Sequence, residues 1–258
     1  LAADLLRQVG VSVVDRSDEI LAVANGLGLL QKARGKRVGV VADGGGQATI
    51  ASDRLSEAGL ELAELTERTR ARLRAILLPQ AALANPVDVA GSTDADPALL
   101  ATCLEIVAAD PNVDAIFLVG MFGGYSLRFA DHLLDSELRG AAAMIEIARR
   151  ADKPLVVHSL YAPAKPPALV RLREGGLPVY ASIEQAVRVL AALGERGAYL
   201  GHNASQPPPT ELTLRPEMRR LFARARRENR DLFEFEARRL LRGHGVRSAP
   251  ERVARRVE

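Results

Sequence analysis

The chain has 258 residues, 48% apolar, 26% charged and only 4% aromatic, which is enough for one sizeable domain with parts of neighbours attached. No run of about 18 apolar residues occurs, so a membrane-spanning helix is excluded, and no basic, apolar, small-residue signal pattern opens the chain; the expectation is a cytoplasmic protein with no membrane partner. The net charge of +3 is uneven, with 14 Lys and Arg against 8 Asp and Glu in residues 211–258 and 21 against 24 before them, and the late arginines alternate with glutamates at helical spacing without aromatic stacking residues, so nucleic acid is not an expected partner.

Residues 1–34 read as a helix, a short apolar strand at 11–14 and a second helix from about Ser17, with Asp18 and Glu19 in its first turn. From residue 36 strands and helices alternate. Residues 38–42 form an apolar run suited to a buried parallel strand. Residues 47–58 place Ala51, Leu55 and Ala58 at helical spacing, and Gly59 stops them. A strand at 60–65 and a helix at 67–78 follow, closed by Pro79. A helix over 97–109 carries the stripe Leu100, Cys103, Leu104 and Val107. The lone cysteine can form no internal disulfide, has no zinc-ligand cluster around it and reads as a core residue. Strands at 115–119, 155–157 and 179–180 alternate with helical stretches at 131–150 and 165–174. Ser182 with Gln185 then opens a last helix as a capping box. Ser205 to Thr210, with three consecutive prolines, reads as a stiff linker, and a final helix is expected from an Asp231 N-cap to Arg242, stopped by Gly243. Residues 246–250 read as the start of a further element. The chain opens at Leu1 without Met and ends at Glu258 in a helical pattern, which reads as a fragment.

Five apolar strands separated by amphipathic helices predict an α/β fold, a doubly wound, flavodoxin-like parallel sheet of order 2-1-3-4-5 with helices on both faces. In that order the first and third strands are neighbours at the topological switch point, where ligands of such sheets bind.

Both strands end in glycines. The first runs through Asp43, Gly44, Gly45 and Gly46 to Gln47 and straight into a helix, so backbone N–H groups of a first turn face any ligand there and favour an anion such as phosphate. The spacing matches neither the dinucleotide fingerprint nor the P-loop, and tight turning alone would also explain the glycines. The third strand ends in Gly120, Met121, Phe122, Gly123, Gly124 and Tyr125. Asp43 would repel a phosphate unless it is held away, protonated or paired with a cation; it can equally be a turn former. Asn85 and Asp88 lie in a turn opened by Asn-Pro. His158 follows the fourth strand on the same sheet edge, as a site residue or a surface turn. His132, His202 and His244 have no metal or triad spacing, no metal site is expected, and the hydrolase elbow and zinc-helix motifs are absent.

The ordered set of residues 35–46 (GKRVGVVADGGG), 85–88 (NPVD), 110–116 (DPNVDAI) and 121–124 (MFGG) resembles the NDP-forming acyl-CoA synthetases, the family of ADP-forming acetate-CoA ligase and succinyl-CoA synthetase. The resemblance implies a flavodoxin-like ligase domain at 36–200, the end of a histidine-bearing domain at 1–35, a linker at 201–230 and the opening of an ATP-grasp domain at 231–258. It also implies the reaction acyl-CoA + ADP + phosphate = acid + CoA + ATP, through an acyl phosphate and a phosphohistidine. CoA, ATP or ADP and Mg2+ would serve the complete enzyme, with none held tightly by this chain, and the partners would be other domains or subunits, or a second copy in a homodimer. Two helix N-termini cradle the phosphohistidine in such enzymes, and the helix after residues 44–46 matches one of them. Tyr125 and Ser126 fall where family members line the substrate site. Asp43 replaces an asparagine of succinyl-CoA synthetase, and His158 with Ser159 replaces a differently charged turn, which implies an acyl group other than succinate. The family's Ser-His-Thr-Gly motif is expected before Leu1 and its ATP-grasp residues after Glu258, so no catalytic residue is assigned within the chain and it is not expected to complete the reaction alone. Two other readings stay open: a non-catalytic acyl-CoA-sensing module fused to an acyltransferase, and a flavodoxin-like binder of FMN or another phosphate.

Overall fold

The computed structural model describes residues 2–204, 216–243 and 245–247, which divide near residue 205 into two units. The first unit comprises α1 (Ala2–Gln8), α2 (Ile20–Leu29), β1 (Arg37–Ala42), α3 (Gly45–Glu57), β2 (Glu61–Leu62), α4 (Glu67–Arg74), β3 (Val87–Asp88), α5 (Leu99–Ala108), β4 (Ala115–Val119), α6 (Tyr125–Arg128), α7 (Leu134–Arg150), β5 (Leu155–His158), α8 (Pro167–Glu174), β6 (Val179–Tyr180) and α9 (Ile183–Ala204). Every strand pair is parallel and the order is β2-β1-β4-β5-β6, the doubly wound arrangement that the sequence predicts, with β1 beside β4 at the switch point.

Alternation along the strands sends side chains to two cores. Val38, Val40, Phe117 and Val156 pack with Ala51 and Leu55 of α3 and with Ala186 and Leu190 of α9. Ile116, Leu118, Leu155 and Val157 pack with Leu100 and Leu104 of α5, Met144 of α7 and Leu169 of α8. Each fully buried Leu or Val side chain contributes roughly 1.5–3 kcal/mol relative to exposure. Cys103 belongs to the second core, and burial pushes its thiol up to about 12, which keeps it protonated and inert.

The predicted second strand is shorter than expected, and a sixth strand, β3, takes over its edge. β2 pairs with β1 only at Arg37 and Val38, whereas β3 pairs with Val41 and Ala42. Between them the side chain of Asn85 replaces a peptide group. Its Oδ1 accepts from Val40 N at 2.9 Å, and its Nδ2 donates to Val38 O at 2.7 Å and Ala63 O at 3.0 Å. The ladder therefore continues through a side chain that no period-2 pattern can announce.

Residues 11–14 are not a strand. Their neighbourhood is held instead by arginines of α9, with Arg188 donating to Val13 O at 2.7 Å and Arg196 to Gly10 O at 3.3 Å. In the second unit, α10 (Pro216–Arg227) occupies part of the predicted linker, and α11 (Glu234–Gly243) begins later than expected. Asp231 is not its cap: Glu236 accepts from Phe233 N at 2.9 Å and pairs with Arg230 at 2.7 Å. The linker residues 205–210, residues 248–250 and His244 lie outside the described residues. Among the described residues no helix is long and apolar enough to cross a membrane.

Candidate functional site

Two loops meet at the carboxyl ends of β1 and β4. They touch through Gly120, whose φ of +145° and position leave no room for a side chain: a Cβ there would lie 2.9 Å from Asp43 Cβ and 3.0 Å from Asp43 O. Asp43 N donates to Val119 O at 3.0 Å, so β1 and β4 stay paired up to the first residue of the glycine loop.

The first loop is open. Gly44, with φ of +118°, is the N-cap of α3 and offers no side chain, and nothing else caps the helix. Gly44, Gly45 and Gly46 are exposed and Gln47 is half-buried. The N–H groups of the first turn thus keep the donor capacity and partial positive charge of an unsatisfied helix end. The Oε1 of Gln47, in the same turn, is buried without a hydrogen-bond partner among the described residues. Asp88 lies close by, its Oδ2 being 3.1 Å from where a Cβ on Gly45 would sit, and its Oδ1 accepts from Ala90 N at 3.1 Å.

The second loop is closed. Gly123, Gly124, Tyr125 and Ser126 are all buried. The carboxylate of Glu137, fully buried on α7, accepts from Tyr125 N at 2.8 Å, Ser126 N at 3.2 Å and Ser126 Oγ at 2.6 Å. Ser159 Oγ donates to Phe122 O at 2.7 Å. The donors that the sequence offers to a ligand at residues 125 and 126 are committed to the protein itself.

A hydrogen-bond chain joins the loops. Tyr125 Oη donates to Asp43 Oδ2 at 2.6 Å, and the buried Thr93 Oγ1 lies 2.6 Å from the same phenol oxygen. Burial, with repulsion from Asp94 and Asp88, holds the Asp43 carboxyl above the ordinary carboxylate range, while hydrogen bonds from the Tyr125 phenol and the Met121 backbone N–H pull it back. Burial and the neighbouring Asp43 raise the Tyr125 phenol, which stays neutral and able to donate.

His158 is neither a surface turn nor part of the open loop. It is 2% exposed, and burial depresses its imidazole to about 4 despite the nearby Glu184. Its Nδ1 has no partner among the described residues. Alternation places it on the sheet face that carries α3 and α9, as it does Val156. Asn85 is used up in the sheet. The structure therefore brings Asp43, the three glycines, Gln47, Asp88 and Tyr125 together, with Ser126, Gly123 and Gly124 behind them. Thr93 and Glu137 were not read from the sequence as part of this edge. Among the described residues no group of three His, Cys, Asp or Glu could hold a metal ion.

The model of the Ligase-CoA domain family matches residues 38–198. The alpha subunit of ADP-forming acetate–CoA ligase II from Pyrococcus furiosus is 28% identical over 200 residues, 76% of this chain and 41% of that protein. The ADP-forming 4-hydroxybutyrate–CoA ligase of Nitrosopumilus maritimus is 24% identical over 243 residues, 94% of this chain and 33% of that protein. A crystal structure from Pyrococcus horikoshii OT3 superposes with a TM-score of 0.67 at 27% identity, covering 78% of this chain and 44% of that one. The dinucleotide-forming acetyl-coenzyme A synthetase 1 of Candidatus Korarchaeum cryptofilum, at 18% identity and a TM-score of 0.64 over 80% of this chain and 43% of that one, shares the fold. The chain thus spans less than half the length of each of these relatives.

Proposed function

The chain belongs to the Ligase-CoA domain family, and from that premise we propose that it forms part of an ADP-forming acyl-CoA synthetase, an acid–thiol ligase that interconverts acyl-CoA, ADP and phosphate with acid, CoA and ATP. Its own contribution is electrostatic. The N-terminus of α3 receives the phosphoryl group of an acyl phosphate or a phosphohistidine presented by another domain or subunit. The observation that carries the reading is an uncapped, exposed helix N-terminus at the switch point of the sheet. Fixed N–H dipoles aimed at a transferring phosphoryl group stabilise its charge without reorganising during the reaction.

In this reading the other groups of the reaction are held outside the α3 cradle. The glycine loop lacks the lysine of a P-loop, so it offers no nucleoside triphosphate cradle of that kind. CoA, nucleotide and metal are assigned to the partner domains or subunits.

Gly45→Val tests the role in the complete enzyme. The new side chain stands at the first position of α3 beside Asp88 Oδ2, where it obstructs the anion. ATP formation from acyl-CoA, ADP and phosphate is expected to fall by roughly two orders of magnitude, the scale of losing an oxyanion donor, with the melting temperature little changed. Unchanged turnover would overturn the assignment.

A further inference from the structure

An acidic residue immediately before an uncapped helix is the natural competitor for that helix's N–H groups. Asp43 directly precedes the N-cap Gly44. An Asp side chain readily accepts from the backbone N–H two residues on, which here belongs to Gly45, the first residue of α3. Such a turn would fill the open N-terminus with the protein's own carboxylate. It does not form: no side chain caps α3, and the Asp43 carboxylate is held on the other side, its Oδ2 accepting from Tyr125 at 2.6 Å and the group also accepting from the Met121 backbone N–H. The phenol is held in turn. Its ring is fully buried, its backbone N–H is fixed by Glu137, and Thr93 Oγ1 stands 2.6 Å from its oxygen. With Asp43 ionised, the order of donation is Thr93 to Tyr125 to Asp43, so each hydroxyl proton is used once.

We infer that Tyr125, backed by Thr93, is a positioning residue that draws the Asp43 carboxylate away from Gly45 N–H and so keeps the N-terminus of α3 open to an external anion. This deepens the proposed function and rests on its reading of α3. It also gives the closed loop a role, because the aromatic residue of that loop guards the open one. The charged and titratable groups facing Asp43 are Asp88 at the end of β3, Asp94 in the following loop and Tyr125 itself. The other donor to Asp43 is the Met121 backbone N–H, which a change at Tyr125 leaves in place.

The test follows the backbone amides of Gly45, Gly46 and Gln47 by 15N-resolved NMR of this chain, with and without inorganic phosphate. In Tyr125→Phe, the phosphate-free Gly45 amide is expected to move as it gains a carboxylate acceptor. The phosphate dissociation constant should rise roughly tenfold, the scale of a charge at a helix end. Adding Asp43→Ala to Tyr125→Phe removes the competitor and should restore phosphate binding, which no loss of packing would do. The defect should also fade as the pH is lowered through the titration of Asp43, because the neutral acid competes poorly. Tyr125→Phe leaves the buried Thr93 hydroxyl unpaired, so Tyr125→Phe with Thr93→Val serves if the single variant is unstable.

An unmoved Gly45 amide, an unchanged dissociation constant, or a double variant as weak as the single one would each overturn the inference. If phosphate fails to move these amides in the native chain, the proposed cradle falls. The phosphate-free Gly45 shift in Tyr125→Phe still decides the role of Tyr125.

Discussion

The loops after β1 and β4 begin alike, each a glycine cluster leading from a parallel strand into a helix at the same sheet edge, and they end in opposite states. The first exposes three consecutive residues and leaves α3 without a cap. The second buries its glycines and spends its backbone donors on Glu137. Glycine content alone therefore does not mark an anion site. What separates the two is whether a side chain elsewhere in the chain has already taken the N–H groups. A closed loop gives a fixed wall, and the open loop beside it gives the vacant donors.

The largest effect should come from opening the closed loop. Glu137→Ala leaves two backbone N–H groups and the Ser126 hydroxyl without their acceptor in a buried setting. The expected loss is about 3 kcal/mol or more, or roughly 6–12 °C in melting temperature for a domain of this size. Denaturant titration checks it; a loss below about 1 kcal/mol would mean that water serves the second loop as well, and the contrast between the loops would collapse.

The packing of the sheet face that carries α3 and α9, the open loop's helix included, is tested by pH. If that side of the sheet were loosely packed, water would reach His158 and its imidazole would titrate near the ordinary 6.5. Burial instead depresses it to about 4. A base whose folded pKa lies below its unfolded value binds fewer protons when folded. Its stabilising contribution is therefore complete above about pH 6.5 and is lost as the pH falls from there toward 4. Urea titrations of the native chain should lose about 2–3 kcal/mol over that window relative to His158→Gln, which has nothing to titrate. Parallel pH curves for the two proteins would show a hydrated imidazole and a loosely packed sheet face.

The sheet order, the switch point and the open loop could be read from the sequence because each depends on local signals: apolar runs of strand length, helical stripes and glycines directly after a strand. The closure of the second loop depends on a residue 11 positions beyond Ser126, and the Asp43 tether on residues from three loops. One signal for Glu137 was present. It stands four residues before Ala141 and seven before Met144, in phase with the buried face of α7, and a carboxylate on an apolar stripe must find donors. Thr93 and the ladder role of Asn85 left no comparable trace, since polar residues in a proline-containing loop read as a turn. Residues 11–14 failed for the opposite reason: an apolar run looked like a strand, although the Val13 carbonyl and that of the preceding Gly10 are served by arginines of a helix far along the chain.

The smallest effect compares one glycine from each loop under the same substitution. At Gly124 a new Cβ would collide with the Tyr161 ring, and since that ring packs beside the buried loop neither side yields easily. Gly124→Ala should cost about 1–3 kcal/mol, the range for overpacking a well-filled interior. At Gly46 nothing lies within 4 Å of the new Cβ, and the residue sits in the first turn of α3 with no left-handed backbone requirement. Gly46→Ala removes conformational freedom from the unfolded chain and favours helix, so it should leave stability unchanged or raise it by up to about 1 kcal/mol. The opposite signs discriminate because both substitutions add the same methyl group. Under the proposed function, a glycine that could be an alanine without cost to the fold would serve close approach of a ligand to the backbone. If Gly46→Ala stabilises the fold and weakens phosphate binding together, that is the reason for the glycine; if it stabilises without touching binding, the anion meets α3 at Gly45 and Gln47 alone.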